Sequence, residues 1–422
     1  MELLSPAGSA DKLAYAYRYG ADAAYIGLPF FSLRARADNI DDTEHDAPDR
    51  LAAIKSGKKL YCALNIYFHN ADLGALDAQL ERIAAYPFDA FIVSDIGVLP
   101  ILRRRFPAVE LHLSTQANCT NREAARMYHD MGFSRIVPGR ELSLDEIKAI
   151  KDFVPELEIE AFVHGAMCIA YSGRCFISAW ANGRSGNRGD CSHSCRWNYR
   201  LALEEEKRLG EYFPVETGKT PSGAFTSIMS SRDLCMIDHL ADLKAAGVDS
   251  LKVEGRVKSL YYVAMVTRAY RYAIDHPEQP NPYRDGLFEV SRREFSTGFF
   301  FGRGDIDTPT EKVYTQTHLL IGSLEETPPG LTVPEQSPDA DEWHAPVYVE
   351  LKNALDVTEA LEVVSPDFVF NRLDPGTYRF ETPEGEVNER PVHLNPWFIR
   401  VRRDATGGHA PAPGWILRLR RE

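Results

Sequence analysis

The sequence predicts an α/β protein: a (β/α)8 TIM-like barrel with a cysteine-rich insertion, followed by a small C-terminal antiparallel β domain. Three observations carry this expectation. Eight short apolar runs alternate with amphipathic helical stretches over the first 285 residues. That alternation is interrupted once, after the seventh run, by a segment too long for an ordinary βα loop. Beyond residue 317 the pattern changes to short β-like runs separated by turn residues.

The candidate strands are ELLS (2–5), AAYIG (23–27), KLYCALNIY (59–67), AFIVS (90–94), ELHLS (110–114), RIVPG (135–139), LEIEAFV (157–163) and SLKVE (250–254). Between most of them lie helical patterns such as DKLAYAYRYG, DLGALDAQLERIAAY, NREAARMYHDMG and SLDEIKAIKDFV. Strands and helices in alternation indicate a parallel sheet with covering helices, and eight strands close a barrel. An open doubly wound sheet would show a similar pattern, but no Gly-x-Gly-x-x-Gly turn opens the first helix. Each apolar run gives way to a polar or glycine-bearing segment, among them Ser5 to Gly8, Ser114 to Asn118, Gly139 to Glu141, His164-Gly165 and Glu254 to Arg256. In a barrel those positions share one rim, where active sites are built. The expected division is a barrel over 1–285 containing the insertion 165–235, a connecting segment over 286–316, and a β-barrel-like domain over 317–422. The last includes HLLIGSL, PVYVELKN, LEVVS, TYRFET and WFIRVRR.

Composition narrows the function classes. The 422 residues are 44% hydrophobic and 26% charged, ordinary for a globular protein, and no apolar run approaches the roughly 20 residues that cross a bilayer. The start, MELLSPAGSADK, has neither the basic nor the apolar region of a signal peptide, so a cytoplasmic protein without membrane attachment is expected. A net charge of −13 argues against a general nucleic-acid coat. Charge is segregated, however. Residues 166–200 hold Arg174, Arg184, Arg188, Arg196 and Arg200 against Asp190, and residues 390–422 hold seven arginines against Asp404 and Glu422.

Of the seven cysteines, Cys62 and Cys119 sit in contexts that suit small buried side chains. Cys168, Cys175, Cys191, Cys195 and Cys235 fall close together, and in a reduced compartment grouped thiolates suit zinc or iron–sulfur chemistry. Only Cys191-x3-Cys195 resembles a zinc knuckle, whereas a cluster tolerates wider spacing because its irons occupy separate corners. Spacing alone leaves metal and no metal both open. A catalytic cysteine with His164 as base is a third reading.

The string Glu160-x-Phe162-x-x-Gly165-Ala166-Met167-Cys168-x4-Gly173-x-Cys175-x-Ile177-Ser178 resembles the signature of the collagenase-like proteins, peptidase family U32. Leu4 to Gly8, Gly20-Ala21-Asp22, Ser114-Thr115-Gln116, Asn187 to Cys191, Cys195-Arg196-Trp197, Leu251 to Arg256 and Ser296 to Phe299 agree with it, over nearly the whole chain. Length and layout are most similar to the branch that makes 5-hydroxyuridine at the wobble position of tRNA. The resemblance implies O2-independent hydroxylation, a 4Fe–4S cluster, prephenate as co-substrate, and tRNA and an electron donor as partners. It sets no oligomeric state. It places the cluster ligands at Cys168, Cys175, Cys191 and Cys235, with Cys195 as alternate. A related branch hydroxylates 23S rRNA, and the family name points to a peptidase. A zinc-holding RNA-binding module is a further class. The chain reads Arg184-Ser185-Gly186-Asn187-Arg188-Gly189 where the tRNA branch often has Asp-Pro-Asn-Gln-Gly.

A dicarboxylate at the rim needs cations, which assigns Arg140, Lys252 and Arg256, with Gln116, to substrate binding. His164 and Glu254 are the expected proton-handling groups. RNA is expected against Arg188 and Arg196 of the insertion and against Trp397, Arg400 and Arg402 of the terminal domain, an aromatic–basic mix suited to stacking and phosphate contact.

Overall fold

A computed structural model describes all residues except 34–45, 169, 198, 200, 205, 208, 211, 216–218, 221–222, 225–230, 303–314, 336–340, 367–369, 394 and 422. Arg200 and parts of the insertion therefore lie outside the described residues. The chain divides into two compact units, 1–284 with 292–315, and 285–291 with 316–422.

In the first unit the strands are β1 (Glu2–Pro6), β2 (Ala23–Gly27), β3 (Lys59–Leu64), β4 (Ala90–Val93), β5 (Glu110–Leu113), β6 (Arg135–Ile136), β7 (Glu158–Ala166) and β8 (Ser250–Val253). Each pairs in parallel with the next, and β8 pairs with both β7 and β1, so the barrel closes. The eight expected runs are the eight barrel strands; β6 is only a two-residue strand, because Pro138 lacks the N–H that a ladder requires. Small and apolar side chains (Leu4, Ala23, Ala90, Ile92) and the rings of Tyr25 and Tyr61 pack in the barrel interior.

Lower in the barrel a polar network replaces hydrocarbon. Arg135 bonds Glu2 at 2.6 Å, Glu158 at 2.6 Å and Glu160 at 3.1 Å, while Lys252 bonds the other Glu160 oxygen at 2.5 Å. Tyr61 and Ser250 donate to Glu2, each at 2.7 Å. Glu160 is fully buried. Burial pushes its carboxyl up, but Lys252 and Arg135 outweigh that and hold it below the usual range. Lys252 is pushed down by burial, and its one carboxylate partner, shared with Arg135, only partly offsets this.

The second unit is an antiparallel sheet of eight strands: β9 (His318–Glu325), β10 (Val347–Leu351), β11 (Leu361–Val364), β12 (Phe370–Leu373), β13 (Tyr378–Glu381), β14 (Val387–Asn388), β15 (Trp397–Val401) and β16 (Ile416–Arg420). The spatial order is β12-β11-β16-β9-β10-β15-β13-β14. Its core gathers Ile321, Phe380, Trp397, Ile399, Trp415 and Leu417. Residues 285–291 join this unit through Glu289, whose carboxylate pairs with Arg418 and whose carbonyl accepts from the Thr317 amide at 3.3 Å.

Candidate functional site

The C-terminal ends of the barrel strands open into a cleft of about 500 Å3, a volume that includes the solvent at its mouth. Gln116, Arg140, Lys252, Glu254 and Arg256 all line it, so the rim residues singled out by sequence converge on one space. Arg140 comes from the loop after β6. Its guanidinium lies 3.8 Å from the centre of the Phe162 ring and donates to the Ala166 carbonyl at 2.7 Å. Arg256, past the end of β8, donates to the Ser32 hydroxyl at 2.7 Å and sits 5.8 Å from the Tyr25 ring. Lys252 forms the floor, tied to Glu160 and 4.5 Å from the Tyr25 ring. Three cations, each steadied by an aromatic face, thus stand around a cleft that also holds the Glu254 carboxylate.

His164 is not among the lining residues. Strand alternation from Glu160 and Phe162 would place it on the inner face. The pairing of β7 with β8 slips by one residue: Lys252 faces Phe162, but Val253 faces His164. That bulge turns His164 to the other face of the strand. There it packs against Tyr262, Tyr270 and Phe295, with ring centres 6.0, 5.6 and 5.2 Å away. Its Nε2 is buried with no hydrogen-bond partner among the described residues. Burial, helped by the Lys258 ammonium, pushes the imidazole pKa down to about 3. This placement corrects the proton-transfer role expected of His164: a caged, neutral ring outside the cleft cannot exchange protons with a ligand inside it.

A stability prediction follows from the same cage. Between about pH 6.5 and 3 the unfolded chain protonates this histidine and the folded chain does not. Its contribution is therefore full above pH 6.5 and declines as pH falls through that window. His164→Phe, which fills the cage with an apolar ring, should lose less thermal stability between pH 7 and pH 5 than the wild type. Equal losses on acidification would refute the assignment.

The insertion leaves β7 and covers one side of the mouth. The Tyr67 hydroxyl donates to the Gln116 carbonyl at 2.7 Å and to the Gly173 carbonyl at 2.9 Å, while the Tyr67 amide donates to the Asn187 carbonyl at 3.2 Å. Gly173 lies so close that a Cβ there would stand 1.9 Å from the Gln116 carbonyl oxygen, and its φ of 72° also favours glycine. Ser172 donates to Glu141 at 3.0 Å and accepts from the Arg140 amide at 3.1 Å. Tyr67 was not singled out by sequence; its position at the end of the third apolar run was the available signal.

These anchors arrange the cysteines. Cys195 is raised above the ordinary thiol range by burial, with Arg196 opposing and Cys168, Cys191 and Cys175 reinforcing, so these four thiols share one neighbourhood. The Asn187 amide group donates to the Cys175 carbonyl at 3.0 Å, and the His193 amide approaches the Cys191 sulfur at 3.4 Å. Cys235 pairs across the ladder with His164, and cross-strand partners share a face. Its thiol is pushed up to about 11, mainly by burial, and bonds with Tyr270. The alternate, Cys195, thus neighbours Cys168, Cys175 and Cys191, while Cys235 stands against His164 and Tyr270. Among the described residues no group of three or more His, Cys, Asp or Glu side chains is close enough to hold a single ion. Thiolates of this kind are donors that both zinc and iron–sulfur clusters accept.

The expected RNA contacts divide. Arg188, on the insertion, is exposed and pairs with Asp72 at 3.0 Å, and Arg196 donates to the Met167 carbonyl at 3.1 Å. Trp397 and Arg400 are buried, which corrects their assignment to an RNA surface. β15 is an interior strand covered on both faces; the Trp397 indole donates to the Val392 carbonyl, and Arg400 pairs with Glu381 at 2.8 Å. Arg402 is partly exposed and pairs with Asp404 at 3.0 Å.

Fold and site together define a class: a closed parallel barrel with a cation-lined mouth and a thiol-bearing excursion beside it. The model of peptidase family U32 matches residues 8–309, and this chain belongs to that family. It is 38% identical over 335 residues to the Escherichia coli protein named "tRNA hydroxylation protein P", covering 71% of this chain and 74% of that one. It is 38% identical over 276 residues to the E. coli "23S rRNA 5-hydroxycytidine C2501 synthase", covering 65% and 39%. To a Porphyromonas gingivalis protein named "Collagenase" it is 30% identical over 319 residues, covering 72% and 74%. No helix among the described residues is long and apolar enough to cross a membrane.

Proposed function

We propose that this chain is an RNA hydroxylase that converts wobble uridine of tRNA to 5-hydroxyuridine without O2, in the cytoplasm. It would use a 4Fe–4S cluster held by Cys168, Cys175, Cys191 and Cys195, prephenate as co-substrate and a separate electron donor. The observation that carries this reading is the placement of four neighbouring thiols on an excursion pinned to the rim of a cleft that gathers Arg140, Lys252, Arg256 and Glu254. Similarity to proteins named for tRNA and rRNA hydroxylation supports the RNA substrate.

When bound, such a cluster supplies electron transfer and Lewis acidity. The chain's own residues do the rest. Arg140 and Arg256 present planar guanidinium groups, which suit a dicarboxylate. Lys252 adds positive potential from the floor, with Glu160 holding its ammonium in place. Glu254 is the carboxylate of the cleft that would take up the C5 proton as C–H becomes C–OH, a two-electron oxidation whose oxygen atom and oxidising equivalents the co-substrate would have to supply. The peptidase reading with Cys168 as nucleophile needs His164 beside it as base, and the aromatic cage removes His164 from that role.

The test is nucleoside mass spectrometry of tRNA from a strain lacking this gene. Hydroxyuridine should vanish, return with the wild-type gene, and stay absent with Cys175→Ser. Unchanged hydroxyuridine in the deletion strain would refute the tRNA reading, and a missing 23S hydroxylation in its place would move the substrate to rRNA.

A further inference from the structure

Large aromatic rings stand in solvent on the excursion that carries the thiols. Tyr171 is 62% exposed, Phe176 71%, Trp180 78% and Trp197 43%. They sit on a hydrogen-bonded unit rather than on independent loops. Phe176 precedes the short helix Ile177–Asn182, which carries Trp180. Ser178 on that helix accepts from the Ser192 amide at 2.9 Å and bonds its hydroxyl at 2.9 Å. The Ser192 carbonyl in turn accepts from the Trp197 indole at 3.2 Å. The same unit holds Cys175, Cys191 and Cys195, so rings and thiols share one hydrogen-bonded frame.

Exposed apolar area of this kind marks a docking surface, and the charge around it selects the partner. The segment 166–200 carries five arginines against one acid, in a chain of net charge −13. Arg174 is exposed next to Cys175, and Arg188 is exposed at the border of the unit. Flat rings interleaved with guanidinium groups match a polyanion that offers unstacked planar faces. A duplex keeps its bases stacked inside and cannot use the rings, whereas an unpaired loop can.

We propose that Phe176, Trp180 and Trp197, with Arg174, form a stacking platform for unpaired RNA bases beside the barrel mouth. This rests on the hydroxylase reading in that it says how the same site takes hold of its RNA. It also replaces the buried Trp397 and Arg400 with residues that solvent and ligand can reach.

The experiment is fluorescence anisotropy with the full-length protein, using a labelled RNA hairpin with an unpaired loop and a blunt RNA duplex of equal length, at one salt concentration. Trp180→Ala and Phe176→Ala should each weaken hairpin binding about tenfold, and Trp180→Phe should recover most of the loss. Duplex binding and iron content should not change, because these side chains are exposed and leave no cavity. Hairpin binding equal to wild type in the alanine variants overturns the platform and assigns the rings to a protein or lipid surface. Equal loss on hairpin and duplex also overturns it, leaving a charge effect alone. Failure of the two readings is separable: a platform that fails while deletion-strain tRNA still lacks hydroxyuridine leaves the hydroxylase standing. A ring-dependent hairpin affinity with unchanged tRNA leaves the platform standing without the hydroxylase.

Discussion

Glu160→Gln is expected to destabilise the barrel unit by about 3–5 kcal/mol, the usual consequence of removing one partner from a buried ion pair. Lys252 would lose its carboxylate while remaining buried, and Arg135 would lose one of three. The double variant Glu160→Leu with Lys252→Met should recover most of the loss, since a buried pair replaced by hydrocarbon of similar volume is often neutral. Arg135 keeps Glu2 and Glu158 in both variants. Denaturant unfolding followed by a signal from the barrel reads both outcomes. A single variant as stable as wild type would mean that water reaches Lys252. The recovered double variant would also separate stability from ligand binding, because it removes a cation from the floor of the cleft while leaving Arg140 and Arg256 untouched.

Cys195→Ser should strip iron and sulfide from anaerobically purified protein, and Cys235→Ser should leave both in place. The expectation comes from location: Cys195 shares its surroundings with three other thiols, while Cys235 faces His164 and Tyr270 behind the strand. The readout is metal and sulfide content with the visible spectrum, compared with folded content by circular dichroism so that a collapsed variant is not mistaken for an apo one. Iron lost with Cys235→Ser and kept with Cys195→Ser would invert the ligand set. Stoichiometric zinc without sulfide would remove the redox chemistry altogether.

The architecture was legible because its signals are local. Eight β-rich runs separated by helical periodicity need only chain neighbours to be recognised, and the rim cations followed from where those runs end. Failures arose wherever a partner from another strand decides the outcome. His164 was placed at the rim because it follows the seventh apolar run, and one extra residue in the ladder turns it away from the cleft. Arg400 next to aromatic residues read as a surface pair, yet its counter-charge, Glu381, comes from a strand 19 residues earlier. The same limit blurred the ligand set. Spacing could not separate Cys195 from Cys235, because the surroundings of each thiol are set by distant parts of the chain: Cys195 lies in the short 3-10 helix Ser194–Arg196, and Cys235 lies on a strand paired with β7.

Closure of the barrel by β8 sets a timetable for assembly. The thiols at 168, 175, 191 and 195 are synthesised before Ser250–Val253, the strand that joins β7 to β1. Until that strand emerges from the ribosome, the rim that pins the excursion is an open sheet, with its first and last edges unpaired. Tyr67 and Gln116 belong to β3 and β5 ends whose separation is not yet fixed by a closed ring, so their hold on Gly173 is provisional. Until then the four thiols proposed as ligands lack the closed scaffold that spaces them. The cluster proposed for these thiols would therefore load only after residue 253 has been made and the ring has closed.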